Sequence, residues 1–196
     1  LKEHIEIAVL ASGPSMNRGI AERALTWRSK ARERRIMVVN ETWRLCPTAD
    51  YAYAGDYGWF AHRYADARRE FQGQFWSGGD YVCLRYPEVR YVHRVSGLGI
   101  PSDVSICTGS AKGYGNSGFQ AVCLAATVLR AREIHIAGFD CGYRGLARHW
   151  HEDYINPLTN APDTSEWRSS LSSLAIACKL RGIKVHDGCD FEIAGE

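Results

Sequence analysis

The feature that most constrains this chain is a nearly continuous apolar run, Ile5-Glu6-Ile7-Ala8-Val9-Leu10-Ala11, broken at once by Ser12-Gly13-Pro14-Ser15 and followed by an amphipathic stretch over residues 17–31. Apolar side chains at both parities of a strand require burial of both faces, the condition of a strand inside a parallel sheet covered on each side by helices. Strand, tight loop, helix is therefore read as the first unit of a doubly wound sheet. The design recurs: Ile36-Met37-Val38-Val39 stops at Asn40, Tyr51-Ala52-Tyr53-Ala54 stops at Gly55-Asp56, and Glu133-Ile134-His135-Ile136-Ala137 leaves through Gly138-Phe139-Asp140. Each run ends in a polar or glycine position, at the sheet edge where ligands of open α/β folds bind.

Between these units, helical spacing covers residues 57–71, and short strands are expected over residues 74–76, 82–86 and 91–95. Residues 96–118 are rich in Gly, Ser and Thr and read as one long loop, of the kind that is usually functional or mobile. Phe119, Val122, Cys123, Ala126 and Leu129 form one apolar face of a helix expected over residues 117–130. A further loop over residues 141–162 leads to a helix over residues 163–181, with capping residues at its start and Gly182 as its stop, and to a last strand over residues 183–186. With no internal repeat or domain boundary, the expected fold is α/β: a doubly wound, mostly parallel Rossmann-like sheet with helices on both faces, one domain over 196 residues.

Composition narrows the partners. The longest apolar runs, residues 36–39 and 121–129, are too short to span a bilayer, so no integral membrane segment is expected. The seven cysteines are odd in number and lack close pairing, which favours reduced thiols; with no basic leader and cleavage site preceding Leu1, a cytoplasmic location is expected. Zinc-finger spacing is missing. A net charge of +2 with scattered arginines does not describe a nucleic-acid binder, and any attraction for phosphate must be local. Six tryptophans and ten tyrosines exceed what a core of this size must bury, leaving material for an aromatic acceptor groove or a homo-oligomer surface.

Four constellations can carry chemistry. Gly13, Pro14 and Ser15 follow the first strand, where a glycine lets backbone approach a phosphate or ribose; the alternative is an ordinary strand-to-helix turn. The sequence is neither GxGxxG nor a P-loop, which removes the usual support for NAD or P-loop chemistry. Asn40 and Asp56 can bond ribose hydroxyls or a base edge, or else cap the turns they begin. Asn116, Ser117 and Gly118 open a helix and offer either an anion site or a plain N-cap, with Lys112 placed to close over phosphates. After Gly138, Phe139 and Asp140 comes the densest titratable cluster of the chain: Tyr143, Arg144, Arg148, His149, His151, Asp153 and Tyr154. A histidine there can act as general base, arginine or tyrosine can offset charge on a departing phosphate, and the His149-His151 pair can alternatively hold a metal with Asp140 or Asp153.

In order, Ala11-Ser12-Gly13-Pro14-Ser15, Val39-Asn40, Gly55-Asp56, Asn116-Ser117-Gly118 and the strand from Glu133 to Asp140 resemble the bacterial sialyltransferases of glycosyltransferase family 42 and related pterin-pyrophosphokinase-like proteins, small phage members included. The resemblance implies a metal-independent enzyme that needs no cofactor and uses a nucleotide-sugar donor, a CMP-sugar in that family. It implies that Gly13, Ser15, Asn40, Ser117, Gly118 and Asp140 hold the nucleotide, that His151 or else His149 is the base, and that Tyr143 and Tyr154 support the leaving phosphate. Asp56 stands where that family usually has asparagine. Two other expectations remain open: a pyrophosphokinase or nucleotide hydrolase with a divalent ion on Asp56, Asp140 and Asp153, and a non-catalytic module that binds or sequesters a nucleotide.

Overall fold

A computed structural model describes residues 4–110, 115–142, 144–152, 154, 158 and 164–188. Strand β1 (Glu6–Leu10) lies inside the sheet, hydrogen-bonded in parallel to β2 (Arg34–Val39) on one side and to β8 (Glu133–Ala137) on the other. Its alternate side chains go to two different cores: Ala8 and Leu10 to one, Ile7 and Val9 to the other. That two-sided burial is why the run is continuously apolar.

The first core is closed by α1 (Arg18–Ser29), α2 (Tyr57–Glu70) and α3 (Asp80–Arg85), through Trp27, Phe60 and Val82 among others. The second is closed by α4 (Ser117–Thr127) and α5 (Ser165–Leu180), through Phe119, Leu124 and Leu174. The remaining strands are β3 (Tyr51–Tyr53), β4 (Gln74–Ser77), β5 (Arg90–Tyr91) and β9 (Lys184–Asp187), giving a seven-stranded sheet in the order β5-β4-β3-β2-β1-β8-β9 with every pair parallel. The chain runs outward from β1 to β5, then returns to β8 on the other side of β1. This is a single-domain, doubly wound Rossmann-like fold whose topological switch point lies between β1 and β8.

Several local expectations are corrected. Residues 82–86 belong not to a strand but largely to α3, because β4 and β5 pair in parallel and parallel neighbours need a crossover between them. The strand expected over residues 91–95 is divided: Val92 still bonds the Ser77 carbonyl, whereas β6 (Arg94–Val95) leaves the sheet and pairs with β7 (Ile106–Cys107). The supposed loop thus contains a buried strand. Helix α4 ends at Thr127 rather than residue 130, and Arg130 turns back in the left-handed region at φ 56°. The tryptophans go mostly inward: Trp27, Trp43 and Trp59 are buried, and Trp76 and Trp150 pack against the two cores. Among the described residues, no helix is long and apolar enough to cross a membrane.

Candidate functional site

A cleft of about 510 Å³ opens at the carboxyl rim of the sheet, beside the switch point. Its walls come from separate crossovers: Gly13 after β1, Asn40 after β2, Asp56 after β3, Asn116, Ser117 and Gly118 at the start of α4, and Gly138, Phe139 and Asp140 after β8. Arg148, His149 and Tyr154 complete it, with Trp59 and Trp167 as aromatic walls. Pro14, Ser15, Arg144 and His151 do not line the cleft, and Tyr143, Lys112 and Asp153 lie outside the described residues.

The first loop is tied to the exit of β8. The Gly13 amide donates to the Gly138 carbonyl at 2.9 Å, and Asp140 Oδ2 accepts both the Ser15 amide, at 3.1 Å, and the Ser15 hydroxyl, at 2.8 Å. A Cβ on Gly13 would run into the Asp140 carboxylate and the Gly138 carbonyl, so the glycine is required by this crossing of two chain segments. The amides of Gly13, Ser15 and Met16 are all spent inside the protein. Ser15 and Asp140 accordingly shape the rim.

At α4, Asn116 Oδ1 caps the Phe119 amide at 3.0 Å, while Ser117 and Gly118, first in the helix, have no carbonyl behind them in it to take their amides and line the cleft. The Ser117 hydroxyl accepts the Gly55 amide at 3.2 Å, which fixes the helix start against the exit of β3. Behind it, buried Gln120 accepts the Tyr53 hydroxyl at 2.6 Å and donates to the Thr108 carbonyl at 3.1 Å. Gln120 was not singled out in the sequence, since one glutamine in an otherwise apolar helix carries no local signal.

Among the described residues, Asn40 and Asp56 offer unspent hydrogen-bonding capacity to the cleft. Asn40 sits at φ 48°, a left-handed conformation that asparagine tolerates better than most residues, and its Oδ1 is buried without a donor. Asp56 precedes α2 without capping it, and the cleft walls raise its pKa by desolvation against the opposing charge of Arg94.

The segment over residues 144–152 is anchored by Trp150. Its amide donates to the Ser12 carbonyl and its indole N–H to Thr42 Oγ1, each at 3.2 Å, while Thr42 donates to the Ala11 carbonyl at 3.1 Å. This anchoring sets the two flanking imidazoles, which stack with centroids 4.8 Å apart and planes at 1°. His149 lines the cleft and His151, stacked on it, does not. His151 Nδ1 is 2.6 Å from the Glu152 carbonyl, which makes Nδ1 the protonated nitrogen and leaves Nε2 with its lone pair. Burial, helped by the neighbouring His149, depresses the His151 pKa to about 4. Both rings pack against Tyr154, whose hydroxyl pKa is pushed up by burial and by nearby Glu41. Glu41 itself is buried beside Arg63, 3.3 Å away, and desolvation raises its pKa against that pairing.

No protein-family model, no curated protein and no solved structure matches this chain, so its functional reading rests on the geometry of this cleft.

Proposed function

We propose that the cleft binds a nucleotide-activated donor, a nucleotide sugar, and transfers its sugar to an acceptor hydroxyl without a metal ion in the step. The observation that carries this reading is the meeting of Asn40, Asp56, Ser117 and Gly118 with Arg148 and His149 in one cleft at the switch point. In this scheme the open Asn40 Oδ1 takes a base or ribose donor, Asp56 takes ribose hydroxyls, and the first amides of α4 face the phosphate. A CMP-sugar is the donor suggested by the sequence resemblance. His149 accepts the acceptor proton as the new C–O bond forms, and the electron pair of the broken sugar–phosphate bond leaves on the phosphate, where Arg148 offsets its charge. His151 and Tyr154 hold the His149 ring in place by packing.

His149→Ala is expected to lower turnover by about 10²–10⁴-fold, the range of a lost general base, while nucleotide affinity measured by calorimetry stays within error of the parent. Equal loss of both would remove the catalytic role of His149. A hydrolytic reaction with a strict magnesium requirement would instead replace transfer with pyrophosphokinase or hydrolase chemistry.

A further inference from the structure

Away from the cleft, on the face of the sheet that carries α1, three potential metal ligands converge from the two strands β8 and β9. Glu133 and His135 are two residues apart on β8 and so share a face, and the parallel register sets His186 of β9 directly beside His135. One ligand atom from each lies within 4.8 Å of the others. Glu133 Oε2 is 3.1 Å from His186 Nε2, and the His135 and His186 rings stack with centroids 4.5 Å apart. His4 Nε2 comes within 3.4 Å of Glu133 Oε1. None of these residues lines the cleft.

We propose that Glu133, His135 and His186 form a binding site for a divalent transition-metal ion, zinc first among them, that fastens edge strand β9 to the sheet. Two imidazoles and a carboxylate are a donor set that suits zinc and does not suit magnesium or calcium. The sheet register holds two of the donors side by side before any metal arrives, and the Trp27 and His135 rings meet edge to face with centroids 5.0 Å apart, which restrains the imidazole. Lys184 is the competitor: its ammonium sits 2.9 Å from Glu133 Oε1 on a side chain that is 69% exposed, able to swing into solvent when a metal takes its place. Coordination at about 2.1 Å requires the three donors to close up by side-chain rotation, with the strands left in register.

The test is a calorimetric titration of the full chain with zinc chloride at pH 7.5, with circular dichroism confirming that each variant is folded. One zinc per chain is expected at micromolar or tighter affinity. His186→Ala and Glu133→Gln are expected to weaken binding by at least the roughly 10–100-fold that loss of an outer-sphere partner costs. Lys184→Ala is expected to tighten it several-fold, a gain that a merely structural role for this lysine does not produce. Absence of zinc binding in the parent chain, or parent-like binding in both His186→Ala and Glu133→Gln, would overturn the proposal. The site stands independently of the nucleotide reading of the cleft.

Discussion

His151 shows how much a single side chain is shaped by its surroundings. Its Nδ1 proton is committed to the Glu152 carbonyl, its other nitrogen is buried, and one face is covered by His149. The folded protein therefore keeps this ring neutral down to about pH 4, whereas the unfolded chain protonates it near the ordinary value of 6.5. Between those values the unfolded state binds more protons, so the contribution of His151 to stability is intact above pH 6.5 and declines as pH falls toward 4. The raised carboxyls of Glu41 and Asp56 act in the opposite sense, which makes a comparison with a variant the cleaner measurement. The parent protein should lose more stability between pH 7 and pH 5 than His151→Gln does, read from urea midpoints at the two pH values. Identical losses would place this ring in water rather than in the packed stack.

The elements at the rim are held by contacts between chain segments far apart in sequence, and the crossing at Gly13 is the tightest of them. Gly13→Ala forces a methyl group against Asp140 and the Gly138 carbonyl and is expected to cost about 1–3 kcal/mol, as overpacking of a filled site does. Thermal unfolding of this variant checks it; an unchanged midpoint would show that the two exits are loosely joined. Strands β1, β2, β3 and β8 were legible in the sequence because two-sided burial writes a continuous apolar run and a polar stop. Helix α3 was not: six residues are too few for a helical period to emerge, and only Val82 among them is buried. Strand β7 was hidden because its two residues owe their order to β6 and α4, neither of which is local.

At the scale of the whole molecule, the fold brings to one place residues that the sequence spreads from Gly13 to Tyr154. Gly13, Asn40, Asp56, Ser117 and Asp140 could be nominated from sequence because they stand at strand ends and a helix start, the positions that a parallel sheet gathers along one edge. The division of labour among them could not. That Asp140 holds Ser15, that Gln120 bridges Tyr53 and Thr108, and that Trp150 hangs from Thr42 are tertiary facts with no local pattern. That His149 and not its stacked neighbour His151 lines the cleft is likewise a tertiary fact.

A ligand that binds only the folded state must raise its apparent stability, and the gain has to vanish when the contact is removed. The decisive measurement is thermal unfolding of the parent chain and of Asn40→Ala with and without CMP, UDP, GDP, ADP and their sugar conjugates. A concentration-dependent rise in the parent with at least one of these nucleotides, reduced or lost in Asn40→Ala, is the result predicted here. Midpoints unmoved by every nucleotide at millimolar concentration, or moved equally in both proteins, would contradict a nucleotide site in this cleft.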